Sequence, residues 1–185
     1  MWIVGTVILL IVAYGVITFN RLVRASNMVE EAWSGIDVQL KRRYDLVPNL
    51  VMTVQGYAEH EKTVFDNVAR ARSESMNTYA PREKGAAENQ LSTQIKSLFA
   101  VAEAYPDLKA SQDFLRLQKE LVEVEDQIQY ARRYYNGAVR DSNIKVQTFP
   151  NYLIASMMGF EREDFFEIEY ATERSAPDVG FAKKP

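Results

Sequence analysis

The chain contains no cysteine, and only one of its 185 residues is histidine. The first absence excludes disulfides, thiolate zinc sites, iron–sulfur clusters and a cysteine nucleophile. The second excludes every motif that needs two histidines, the paired-histidine zinc helix among them. Glycine is scarce at 8 residues, and neither GxGxxG nor GxxxxGK[ST] occurs, so no loop is built to cradle a phosphate. With 22 Lys+Arg against 25 Asp+Glu the net charge is −3, and no basic field is present to recruit nucleic acid. The length suits one domain plus an appendage rather than two enzyme domains.

Charge is missing in a second, local sense: none falls in residues 1–20, MWIVGTVILLIVAYGVITFN, where fifteen of twenty are apolar. At about 1.5 Å per residue, about 20 helical residues cross the roughly 30 Å hydrocarbon core of a bilayer. A cleaved signal peptide would need a basic start and a small-x-small site, and the run instead begins Met1-Trp2-Ile3 and ends Phe19-Asn20-Arg21-Leu22. Residues 1–20 therefore read as a transmembrane helix. Arg21 and Arg24 follow it directly, and the positive-inside bias places the N-terminus outside and the rest in the cytoplasm, at a bacterial inner membrane.

From Val29 to Ala71 apolar residues recur at alternating steps of four and three, through Trp33, Ile36, Leu40, Val47, Leu50, Val54, Tyr57, Val64 and Val68. This heptad, coiled-coil-like seam predicts one long helix continuing from the membrane segment, with Pro48 expected to kink or break it. Polar residues 73–85, with Asn77, Pro81 and Gly85, read as a turn. A second helix is expected over about 86–105, punctuated by Tyr105-Pro106. A third runs from Phe114 through Leu117, Leu121, Val124, Ile128, Ala131, Tyr135 and Ala138 to about Thr148, and a short apolar helix covers Tyr152 to Met158. The fold class is all-α: the transmembrane helix continuing into an elongated antiparallel bundle over 21–160. The tail, 161–185, should dock through Phe165, Phe166, Ile168 and Tyr170, its last residues remaining mobile.

Two seam positions are charged, Arg43 and Glu61. On one helix they would stand about 27 Å apart, too far to pair, so each should meet a polar group on another helix or snorkel to solvent. They are the candidate partner-binding or register-setting residues. His60-Glu61 opens an HExxH pattern that fails at Val64, which leaves His60 as a surface histidine and no metal site. Lys41-Arg42-Arg43 and Arg132-Arg133 read as solvated faces. Tyr130, Tyr134, Tyr135 and Asn136 read as core packing with hydroxyls at its rim. No Ser-x-x-Lys or Gly-x-Ser-x-Gly organises a nucleophile, and no cofactor is implied.

Several strings, in order along most of the chain, resemble the LemA family of bacterial membrane proteins. They include Asn27-Met28-Val29-Glu30-Glu31-Ala32-Trp33-Ser34, Ile36 to Arg43, Asp45-Leu46-Val47-Pro48-Asn49-Leu50-Val51, Tyr134-Tyr135-Asn136, Phe149-Pro150, Gly159-Phe160 and Pro177-Asp178-Val179-Gly180-Phe181. The resemblance implies an α-helical single-pass protein with a cytoplasmic domain and no defined catalysis. It carries a loose association with membrane-protein quality control and stress responses, and assigns no functional residue.

The reading that leads is a non-enzymatic scaffold anchored in the lipid bilayer, self-associating through apolar flanks such as Leu115, Val122 and Val139. An adaptor for a protease or chaperone, with a membrane-protein partner, comes second. A carboxylate hydrolase ranks last, because it needs two convergent acids and Glu61 alone offers itself.

Overall fold

The computed structural model describes residues 1–167; Ile168, Tyr170 and the rest of 168–185 lie outside the described residues. The fold is all-α. A single helix, α1 (Trp2–Gln55), begins in the charge-free stretch and continues to the far end of an elongated bundle. It is followed by α2 (Lys62–Met76), α3 (Pro81–Ala102), the one-turn α4 (Pro106–Lys109), α5 (Gln112–Gln147) and α6 (Asn151–Met158).

The first part of α1 has nothing to pack on: from Met1 to Ile17 every residue but Gly15 is exposed. Burial starts at Thr18 and Leu22 and then follows the expected seam through Val29, Ala32, Ile36, Leu40, Val47, Leu50 and Val54. This stretch packs along α5 in antiparallel register. Leu22 meets Val146, the Trp33 ring lies 5.1 Å from Tyr135, and Arg43 reaches Glu125, equal steps up one helix and down the other. The second antiparallel pair is α2 with α3, closed by the short turn 77–80.

Two boundaries and one burial assignment differ from the sequence reading. The seam of 29–71 is not one helix, because α1 stops at Gln55 and the chain reverses through Gly56–Glu61. Tyr57 N–H and Ala58 N–H both bond the Val54 carbonyl, and Glu61 N–H bonds Ala58, so consecutive turns replace the helical ladder. The four-three pattern survives the break because α2 buries its own Phe65, Val68 and Ala71, whereas the seam position Tyr57 is exposed. Gly85 is not in a turn but inside α3, which Pro81 opens at its first position. Val139, expected on an outer flank, is fully buried.

The chain does not break at Pro48, and α1 runs through it. Proline has no N–H, so the Tyr44 carbonyl four residues earlier loses its helical donor. Arg72 of α2 replaces that donor: its Nε–H donates to the Tyr44 oxygen at 2.8 Å. Arg72→Met is therefore expected to destabilise the protein by about 1–3 kcal/mol. In a Pro48→Ala background the cost should shrink, since the substituted alanine would supply its own N–H. Equal losses in both backgrounds, read by chemical denaturation, would refute this account.

After α6, the positive φ of Gly159 (74°) turns the chain, and Phe160 N–H caps the Ala155 carbonyl. Residues 161–167 then run back along α5 in extended form. Two asparagines seven residues apart hold them. Asn143 donates to the Glu163 carbonyl (2.9 Å) and accepts from its N–H (2.8 Å). Asn136 does the same for Phe166 (3.1 and 2.9 Å). Tyr135 donates to the Asp164 carbonyl at 2.9 Å. Phe166, fully buried, seats its ring edge-on to Trp33 at 5.6 Å. Gly85 is the other wall of this seat. A Cβ there would overlap the Glu167 carbonyl oxygen, so Gly85→Ala is expected to displace the segment and cost about 1–3 kcal/mol in thermal unfolding.

Burial, followed by the nearby carboxylates of Glu163 and Asp164, pushes the Tyr135 phenol up to about 12. The folded state thus favours the protonated phenol, and its contribution to stability is complete below the ordinary value of about 10. It is lost as pH rises from about 10 through about 12. Tyr135→Phe should flatten the stability profile in that window; an unchanged alkaline slope would contradict the assignment. Tyr130 and Tyr134, grouped with Tyr135 in the sequence, are exposed instead.

Candidate functional site

Halfway along the bundle, four helices contribute to one buried polar layer. Arg43 and Tyr44 come from α1, Ser75 from α2, Lys84, Glu88 and Ser92 from α3, and Glu125 from α5. Arg43 is 2% exposed and Glu88 is fully buried. The guanidinium donates to Glu88 Oε2 at 3.4 Å and to the Ser92 hydroxyl, and stands 3.2 Å from Glu125 Oε2. The other oxygen of Glu88 accepts from both the Tyr44 and Ser75 hydroxyls, which lie 3.1 Å from each other. Lys84 donates to the Ser75 carbonyl at 2.8 Å and sits over the Tyr44 ring, 5.3 Å from its centroid.

The formal charges cancel, Arg43 and Lys84 against Glu88 and Glu125. Burial, then the Glu88 carboxylate, raises the Tyr44 phenol far above its usual value, so it stays protonated and serves as a donor. Every charged group in the layer has a counter-ion or a hydrogen bond, and both serine hydroxyls are engaged within it, Ser75 by Glu88 and Ser92 by Arg43. Chemically the layer is a lock. It ties side chains of four helices together through one continuous set of hydrogen bonds and ion pairs. A cavity of about 240 Å³ adjoins it, lined by Arg43, Ser92, Glu125 and the apolar Ile95, Phe99 and Leu121.

Arg43 therefore meets polar groups on other helices, one of its two sequence expectations. Glu61 does not join it: the residue sits half-buried in the α1–α2 reversal, where its backbone carbonyl caps α2 through Val64 and Phe65. His60 is exposed in the same reversal. Among the described residues no three of His, Asp and Glu are grouped to hold a metal ion. Arg21 and Arg24 are exposed on α1, directly after the bare apolar stretch. Glu88, Tyr44, Ser75, Lys84 and Ser92 were not singled out from the sequence. The signal was present, because the α3 seam of Leu91, Ile95 and Leu98 extends backwards by three and four to Glu88 and Lys84.

The LemA family model matches residues 32–181, which contain both the polar layer and the asparagine-held segment. The chain belongs to the LemA family. Similar curated proteins bear two kinds of name. Protein LemA of Metamycoplasma hominis is 28% identical over 164 residues, covering 86% of this chain and 72% of that protein. Magnetosome protein MamQ 2 of Paramagnetospirillum magneticum is 26% identical over 175 residues, 80% of this chain. Magnetosome protein MamQ of Magnetospirillum gryphiswaldense is 24% identical over 187 residues, covering 87% of this chain and 67% of that protein. This LemA-family chain spans 64% of the length of MamQ 2. In this chain the matched region is a helical bundle that continues, through α1, from the one helix among the described residues long and apolar enough to cross a membrane.

Proposed function

We propose that this LemA-family protein is a non-enzymatic scaffold: a stiff helical rod anchored by residues 2–20 that presents its sides to other proteins near the membrane. The observation that carries the reading is the continuity of α1, whose 54 residues are at once the apolar span and the main strut of the bundle. A polar layer that spends its charges internally supports a mechanical role over a chemical one. The exposed Arg21 and Arg24 favour a single pass with the N-terminus outside and the bundle cytoplasmic, at a bacterial inner membrane. Leu115 and Val122, seven residues apart and half exposed on α5, form an outward apolar stripe suited to self-association. That two relatives are named magnetosome proteins is compatible with an organising role.

The mass of the full chain in mild detergent and in nanodiscs tests the assembly. Discrete multiples of 21.2 kDa are expected, reduced by Leu115→Asp/Val122→Asp. A particle that is strictly monomeric in both environments sinks the self-association.

A further inference from the structure

After residues 1–20, the longest charge-free run in the chain is Val146–Phe160, bounded by Lys145 and Glu161. It contains α6, and the structure places α6 against the part of α1 that the proposed function puts in the bilayer. The Tyr14 hydroxyl donates to Asn151 Oδ1 at 2.7 Å, the Phe19 ring packs edge-on to Phe160 at 6.0 Å, and Leu22 meets Ala155. Tyr14 and Leu22 are eight residues apart, so α6 accompanies α1 over about 12 Å, the last two turns of the apolar stretch.

Asn151, Ile154 and Ala155 face the bundle. The opposite face is also apolar and is bare: Tyr152, Leu153, Met157 and Met158 are more than half exposed, as is Phe149 just before the helix. A helix with apolar side chains on both faces is ordinarily covered on both; the one exposed polar side chain of α6 is Ser156. Here no part of the described bundle covers the outer side. Eight residues are far too few to span a bilayer. They are suited to lie in its boundary, where aromatic and methionine side chains enter the acyl region while a polar flank stays wet.

We infer that α6, with Phe149, is a second membrane-contacting element: an interfacial helix that seats Phe149, Leu153, Met157 and Met158 in the acyl–headgroup boundary of the leaflet beside Arg21. The occupant of this face is phospholipid, because the face lies at the depth of the spanning segment and continues its exposed apolar surface. The arrangement gives the bundle two points of attachment, the end of α1 and the turn after α5, and so prevents it from spinning about the span. The inference rests on residues 2–20 crossing the bilayer.

The absence of cysteine makes the test direct. Single-cysteine variants of the full chain, at Leu153, Met157, Ala69 and Ile8, are spin-labelled and reconstituted into nanodiscs of phosphatidylcholine and phosphatidylglycerol. Collision with oxygen, which partitions into lipid, is compared with collision with a water-soluble nickel chelate. All four positions are exposed, and helix content by circular dichroism checks the fold. Labels at 153 and 157 are expected to give oxygen-to-nickel ratios several-fold above that at 69 and close to that at 8. Ratios at 153 and 157 equal to that at 69, with 8 still lipid-like, overturn the inference alone. A water-like ratio at 8 as well overturns the anchor reading with it. Labels at 153 and 157 shielded from both reagents mean that protein covers the face, which also overturns the inference.

Discussion

Glu88→Leu is expected to cost about 3–5 kcal/mol of folding stability, among the largest losses available to a single substitution in this protein. The substitution removes an acceptor used three times, by Arg43, Tyr44 and Ser75. Arg43 keeps Glu125, but that carboxylate is 31% exposed and shares its charge with water. The guanidinium is left largely uncompensated in the interior, and two hydroxyl donors are left without their acceptor. The ion pair itself need not be a net source of stability, since desolvating both charges offsets most of their attraction. Adding Arg43→Met to Glu88→Leu should therefore restore part of the loss, because the charge that had become costly is removed with it. Denaturant unfolding of the two single variants and the double decides the matter. Additive losses would show that the two side chains are energetically independent, contrary to the geometry.

Phe166→Ala is expected to be comparably severe, about 3–5 kcal/mol, by loss of transfer free energy and by the cavity left against Trp33. The ring is fully buried although its neighbours on either side, Phe165 and Glu167, are exposed. It is thus the apolar anchor of the extended segment 161–167, and the asparagine clasps depend on it to keep the backbone in place. Hydrogen exchange separates this from a general loosening of the core. The Glu163 and Phe166 amides, which donate to Asn143 and Asn136, should lose protection in Phe166→Ala while amides in the middle of α2 retain theirs. Protection lost evenly across all helices would instead make Phe166 an ordinary core residue.

Much of the fold is legible in the sequence because helix periodicity is a local signal. The seams of α1 and α5, the short apolar α6 and its stop at Gly159 are all carried by spacing and by one glycine. The reversal at Gly56–Glu61 is hidden for the same reason: two helices can continue one four-three pattern across a turn, no proline marks it, and Glu59-His60-Glu61-Lys62 would suit a solvated helix face as well as a turn. The polar layer is half legible. Arg43 stands out as a charge among apolar neighbours, but Glu88 and Lys84 precede the apolar part of their seam and look like an ordinary solvated helix start. Only the packing of α2–α3 against α1 reveals that they are inside. The Arg72 contact is not legible at all, since it depends on a carbonyl freed by Pro48 on another helix.

The uninterrupted α1 also has a geometric consequence for reach. From Leu22 to Gln55 it extends about 50 Å beyond the apolar stretch, with no hinge between. A transmembrane segment answers a change in bilayer thickness by leaning, and a change of about 10° is within the ordinary range. With no joint to absorb it, that lean swings the Gln55 end sideways by about 9 Å. On the proposed single pass, a change in bilayer thickness would thus alter the inclination of the whole arm, and with it the reach of the distal reversal.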